Sequence, residues 1–416
     1  MSPPRFALYG LRVGPWRSLV SASVWGAEGR EFESLRPDHN RNTHSFRGGC
    51  SRIRGSDMSG VLPDSDLRQL IDAGAISAAL PITDAQIQPA SLDLRLGTQA
   101  WRLRASFLPG KGHRIEDRLP DFEMHRMDLT EGAVLEKGCV YLVPLMERLR
   151  LPAGITAVAN AKSSTGRLDL LTRLITDDGT EFDRLPDGYD GPLYAEICPR
   201  SFSVLVRPGM RLNQLRLRQG QAVLDDTALR ALHTETPLVG GPALIDQGLG
   251  FSVDLRPETG DLVGYRAKPH SGVIDLDRIG AYDPREFWDA LHSTDGRLIL
   301  DPGAFYILVS RESVAIPPDY AAEMAPYLAM VGEFRVHYAG FFDPGFGIGP
   351  LGTGARGVLE VRCHEAPFAL EHGQVVGRLV YERMCARPER LYGQDIASNY
   401  QGQGLKLAKQ FSAVSG

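Results

Sequence analysis

One half of this chain echoes the other, and that repetition restricts the fold more tightly than composition does. Ser91-Leu-Asp-Leu-Arg95 returns as Ser252-Val-Asp-Leu-Arg256, and Gly138-Cys-Val-Tyr141 returns as Gly303-Ala-Phe-Tyr306. Glu196 and Gly209 stand 13 residues apart, as do Glu360 and Gly373, and the Tyr-to-Glu intervals are 55 and 54 residues. Several anchors in one register require an internal duplication of a single domain. Short alternating apolar runs at 91–96, 138–144, 153–161, 193–198, 203–206 and 211–217 make that domain β-rich, with 45 glycines and 28 prolines as punctuation. Short helices are expected over 62–74, N-capped near Asp64 and stopped at Gly74, and over 225–236. Gly240-Gly-Pro242 then marks a boundary. The expected fold is mainly β: two tandem distorted β-barrels or jelly rolls, over 58–238 and 239–390, followed by a tail at 391–416.

A chain of 416 residues is long enough for two cores. Its formal net charge of −5 gives no blanket basic field, so nucleic acid is not the expected partner. No apolar run reaches the ~18–20 residues that span a bilayer. Five scattered cysteines, Cys50, Cys139, Cys198, Cys363 and Cys385, lack CxxC pairing and read as reduced thiols of a cytoplasmic protein. Residues 1–57 are rich in Arg, Ser and Gly and carry neither period, so they are expected to be a non-native or disordered extension. Glu31-Phe-Glu-Ser34 fits a frame containing GTTCGAATC, the T-arm sequence of transfer-RNA genes, which would place the true start at Met58.

The chemistry concentrates in 161–214. Ser163-Ser-Thr-Gly-Arg167 offers hydroxyls, a glycine that admits close backbone approach, and a guanidinium fork suited to an anion. Glu196 ends a β-branched, aromatic run, where a carboxylate is costly to bury without a partner or a task.

In their order, these pieces resemble the dCTP deaminase branch of the dUTPase-like superfamily. The matching segments are Ser163-Ser164-Thr165-Gly166-Arg167, Pro186-Asp187-Gly188-Tyr189, Ala195-Glu196, and Pro208-Gly209-Met210 through Gln214-Leu215, with Pro89 to Gly97 upstream. The turn departs from the family's Asp-Pro-Gly order. The resemblance covers nearly everything after residue 58. It implies dUTPase-like domains, sites between neighbouring subunits, and a homo-oligomer. It assigns Glu196 to activate water, Ser163 to position it, and Arg167 to contact substrate. It places Lys162, Ser164, Gly166, Tyr189, Gln214, His337, Ala339, Gly340, Asp343, Tyr392, Tyr400 and Gln403 around the nucleotide, with dTTP as a feedback inhibitor.

The copies differ where chemistry is expected. Aligning Gly166 with Gly332 puts Ala329 opposite Ser163 and Glu333 opposite Arg167. Glu360 then has no cation from its own motif and is expected to be a relic or a structural residue. The second copy keeps His337-Tyr-Ala-Gly-Phe-Phe-Asp-Pro-Gly-Phe346, close to the family's base-pocket segment, so a composite site is expected: Glu196, Ser163 and Arg167 walled by 337–346. In the tail, 392–404 resembles the segment that folds over the triphosphate, although Asn399 stands where the family carries a lysine; Lys406 or Lys409 could replace it.

Deamination of cytosine needs a water activated at C4. The zinc route carries H-x-E and P-C-x-x-C signatures. Here Cys198-Pro199 has no second cysteine in range, and Cys363-His364 reads as ordinary strand residues. A metal-free route through Glu196 remains, with no tightly bound cofactor and Mg²⁺ arriving only with the nucleotide. The products are expected to be dUTP and ammonia. Two alternatives stay open: a dUTPase or bifunctional enzyme using Asp187 or Asp190, and a non-catalytic nucleotide-binding protein.

Overall fold

The computed structural model describes residues 59–326, 334–337, 340–348, 354–394 and 404–413. The expected N-terminal extension lies outside them, as do Ala339, Asn399, Tyr400 and Gln403.

Alternation builds the strands. Ile155–Ala161 buries every second side chain, as a strand with one core face must. In the first copy it pairs with Arg211–Gln219, which also pairs with Ser91–Arg95. A second sheet runs Leu170–Thr176, Asp190–Pro199, Val140–Arg150, Gln99–Leu103 and Glu123–Asp128. The second copy repeats both sheets. Val375–Arg383 lies between Leu249–Ser252 and Tyr320–Pro326, and a second sheet runs Phe334–His337, Ala355–Cys363, Phe305–Val314, Leu262–Ala267 and Trp288–His292. The echoed tyrosines also share a contact. Tyr141 Oη accepts from the Glu136 amide at 3.0 Å, and Tyr306 Oη accepts from the Asp301 amide at 2.7 Å.

Both expected helices form. Asp226–Glu235 is capped by Asp225, whose carboxylate accepts from the Ala228 amide at 2.8 Å. The first helix, Asp64–Asp72, corrects its expected cap: Pro63 occupies the N-cap and Asp64 is helical. The buried Asp64 carboxylate instead accepts from the Glu389 amide at 2.9 Å and pairs with Arg390, tying the end of the second copy to the start of the first.

Elsewhere the copies are joined by charge. Arg216, fully buried in Arg211–Gln219, donates to Ala322 O, Glu382 and Asp343, all in the second copy. The last described segment docks through Phe411, whose ring lies 5.5 Å from Phe287 and 5.9 Å from Trp288. Among the described residues no disulfide links the four cysteines, and no helix is long and apolar enough to cross a membrane.

Candidate active site

The single turn Ser163–Gly166 follows the Ile155–Ala161 strand and is closed by the Arg167 amide donating to Ser163 O at 3.1 Å. One helical turn separates Ser163 from Arg167, so both side chains project to the same side. They line a cavity of about 630 Å³, together with Lys162, Ser164 and Gln214. Its opposite wall comes from the second copy: Gly340, Phe341, Phe342, Asp343 and Phe346, with Gly357, Val358 and Glu360 from the Ala355–Cys363 strand.

The carboxylate facing the Ser163–Arg167 turn is therefore Glu360. Its Oε1 lies 4.0 Å from Arg167 Nε. Burial pushes the Glu360 carboxyl up to about 8, and the Arg167 guanidinium opposes that rise. This corrects the expectation that Glu360 is a relic without a cation: the cation comes from the other copy.

Glu196 is corrected in the opposite sense. It occupies the matching position in the Asp190–Pro199 strand, but it does not line the cavity. Arg173, directly across the ladder, forms an ion pair with it, and that guanidinium stacks 3.6 Å from the Phe182 ring centroid. Glu196 is thus a buried, ion-paired carboxylate outside this cavity. Tyr189 is corrected too: it is buried in the core, its hydroxyl donating to Pro192 O at 2.7 Å. Gly166 is buried beneath the turn rather than exposed to the cavity. Asp187 accepts from the Gly154 amide, and Asp190 pairs with Arg148 and Arg150 on the surface, so neither reaches the cavity.

Of the remaining sites, Tyr392 lines the cavity and its ring lies 5.8 Å from that of Phe346. His337 is opposite Glu360 in strand register.

One end of the cavity is cationic. Lys162 bonds Asp93, and Arg211 lies 3.4 Å from the same carboxylate. Arg390 bridges Asp64 and Asp84 at 3.3 and 2.8 Å. Lys409 also lines this end, and burial together with Lys162 and Arg211 holds its ammonium below the usual lysine range. Of the two candidate replacements for Asn399, Lys409 therefore turns inward, while Lys406 contributes its carbonyl, which accepts from Arg167 Nη1 at 3.0 Å. The sequence reading missed Asp93, Arg211 and Arg390. Asp93 and Arg211 lay in segments already matched to the family, and the strand pairing between those segments was the available signal.

A polyanion fits the cationic end and a flat ring fits the aromatic wall. Glu360, Arg167 and Ser163 line the same cavity.

Two family models together match most of the chain. The family model for the 2'-deoxycytidine 5'-triphosphate deaminase N-terminal domain matches residues 58–221, and the model for the C-terminal domain matches 225–411. A crystal structure of 2'-deoxycytidine 5'-triphosphate deaminase from Agrobacterium tumefaciens shares 54% sequence identity with a TM-score of 0.76, covering 78% of this chain and 99% of that one. A dCTP deaminase of Haloarcula marismortui is 30% identical over 159 residues, 37% of this chain and 78% of that protein. A dCTP deaminase described as dUMP-forming, from Corynebacterium glutamicum, is 31% identical over 163 residues, 38% of this chain and 80% of that protein.

Proposed function

The chain belongs to the 2'-deoxycytidine 5'-triphosphate deaminase family, and from that premise we propose that its composite cavity hydrolyses dCTP to dUTP and ammonia with Glu360 as the base. The observation that carries this reading is the meeting of Glu360 from one copy with Arg167 and Ser163 from the other in one cavity.

An ionised Glu360 removes a proton from water as the oxygen attacks C4, and passes that proton to N3. The carboxylate then carries the intermediate's hydroxyl proton to the exocyclic amine. The C4–N bond breaks, ammonia leaves and Glu360 is ionised again. A carboxyl held near 8 suits both directions of transfer near neutral pH. Arg167 opposes charge built on the attacked ring, and the Ser163 hydroxyl orients the water. Lys162, Arg211 and Lys409 hold the phosphates, and Mg²⁺ accompanies the triphosphate. The zinc-free route rests on the sequence, which lacks the P-C-x-x-C signature of the zinc deaminases. The alternative of pyrophosphate release through Asp187 or Asp190 has no support from geometry, since both lie outside the cavity.

Ammonia and pyrophosphate release from dCTP, measured on the same sample, tests the reading. Wild-type protein should release ammonia without pyrophosphate, and the same after EDTA treatment and restored Mg²⁺. Glu360→Gln should lower ammonia release by ~10²–10⁴-fold, while Glu196→Gln keeps most of it. The reverse order of the two variants, or a required zinc ion, would overturn the assignment.

A further inference from the structure

Two residues beyond Arg167 lies Asp169, and two residues beyond Glu360 lies Arg362. The two meet across the copy boundary. Arg362 Nη2 bonds Asp169 Oδ2, and the same nitrogen lies 3.4 Å from Ser201 Oγ, which itself donates to Asp169 Oδ2 at 2.6 Å. Arg362 Nη1 donates to Gly303 O. Both partners are buried, Asp169 at 1% exposure and Arg362 at 7%.

The backbone at Asp169 is left-handed, with φ of 53°. Glycine is the undemanding residue for that conformation, and a carboxylate-bearing side chain there carries strain. The Asp169 amide donates to Gly166 O at 2.8 Å and its carbonyl accepts from the Arg200 amide at 2.9 Å, so the backbone is over-determined. A strained, buried, charged residue directly after the Ser163–Arg167 turn, paired with the residue two along from Glu360 on the same strand face, has a geometric consequence. It fixes the separation of Arg167 from Glu360.

We propose that Asp169 and Arg362 are positioning residues, a cross-copy clamp that holds the Arg167 guanidinium against the Glu360 carboxyl. Neither touches the cavity surface, and the proposal rests on Glu360 being the base.

The residues around Glu360 make the clamp measurable. Arg167 faces it from the turn. His337 is opposite it in register on one flanking strand, and the uncharged Ile307 on the other. Asp169 and Arg362 are themselves a neutral pair. Arg167 favours the ionised carboxylate, so letting the guanidinium withdraw raises the pH at which Glu360 ionises. A base that must be ionised then acts only at higher pH.

The test is Asp169→Asn, which keeps an acceptor for Ser201 and tolerates the left-handed backbone, and the double variant Asp169→Asn/Arg362→Met, which leaves no unpaired buried guanidinium. Three measurements on the full chain are compared with wild type: thermal melting, the pH profile of kcat/KM for dCTP, and the titration of the Glu360 carboxyl in the unliganded protein. The last is followed by NMR of ¹³C-labelled glutamate, with Glu360→Gln as the assignment control. The double variant should melt close to wild type while kcat/KM falls ~10- to 100-fold, as expected when a reacting group is misplaced by about an ångström. Its acid limb and the Glu360 titration should both move to higher pH. An unmoved Glu360 titration in a folded variant overturns the clamp, as does a kcat/KM loss that only tracks melting. If wild type proves inactive on dCTP while the titration still moves, the clamp stands and the proposed reaction falls.

Discussion

Glu360 carries two opposed demands. Desolvation favours its neutral form and Arg167 favours its ion, and the balance leaves a carboxyl ionising at about 8 rather than near 4.5. That displacement has a consequence for stability. Below about pH 4.5 the folded and unfolded states both hold the proton, so folding is indifferent to the group. Between 4.5 and 8 the unfolded chain releases the proton while the folded chain keeps it, so stability falls as pH rises, and the loss is complete above about 8. Glu360→Gln removes this dependence. The variant is expected to be more stable than wild type at pH 9 by ~2–5 kcal/mol and nearly equal at pH 4.5. Asp183, raised to about 7 by burial, titrates in the same window, but it is common to both proteins and cancels in the difference. Urea unfolding of both proteins across this range is the measurement, and parallel stability profiles would show that Glu360 ionises normally.

At the scale of elements, the strands were legible because alternation and Gly/Pro punctuation are local. Ile155–Ala161 and Arg211–Gln219 lie where their apolar pattern predicts. The duplication was legible too, since Tyr141 and Tyr306 occupy matching strands with matching amide contacts. Of the wall expected at 337–346, Gly340, Phe341, Phe342, Asp343 and Phe346 line this cavity. What the sequence did not disclose is which copy's glutamate faces the Ser163–Arg167 turn. Glu196 and Glu360 occupy equivalent positions in equivalent strands, and both strands bury them. Strand pairing inside the first copy gives Glu196 its partner Arg173, whereas only the packing of one copy on the other brings Arg167 to Glu360. Nearness along the chain favoured Glu196. The tail shows the same limit, since Lys409 reaches the cavity because Phe411 anchors the segment among Tyr282, Phe287 and Trp288. Phe411→Ala should cost ~3–5 kcal/mol through the cavity it leaves. It should also raise KM for dCTP several-fold more than it lowers kcat, because Lys409 is displaced while Glu360 is not. Equal changes in both constants would mean that the tail supports the reacting centre rather than the phosphates.

At the scale of the molecule, the copies share one site, so they must hold one relative position. Much of that fit rests on the charges between Arg211–Gln219 and the second copy. Arg216 and Arg218 are the donors. Glu382 takes Arg216 Nη1 at 3.0 Å and Arg218 Nε at 2.5 Å, Asp343 takes Arg216 at 3.2 Å, and Glu323 takes Arg218 at 2.9 Å. The guanidinium of Arg216 also lies 4.1 Å from the Phe341 ring, a residue of the cavity wall. All cations here belong to the first copy and all anions to the second. Glu382 is shared by both arginines and is itself fully buried. Glu382→Gln keeps the shape but leaves two guanidiniums with one anion fewer, and removing a partner from a buried charge network costs ~3–5 kcal/mol. If the network couples the copies, that loss should lower a single, shared unfolding transition. Trp101 in the first copy and Trp288 in the second allow this to be read separately, by leaving one tryptophan at a time among the described residues and following fluorescence against urea. Wild type should give coincident midpoints from the two probes. Glu382→Gln should shift both by the same amount and lower dCTP turnover, since Phe341 and Asp343 lose part of their support. Two separated midpoints in wild type, or a shift confined to Trp288, would mean that the copies fold as independent units and that something other than this network sets their relative position.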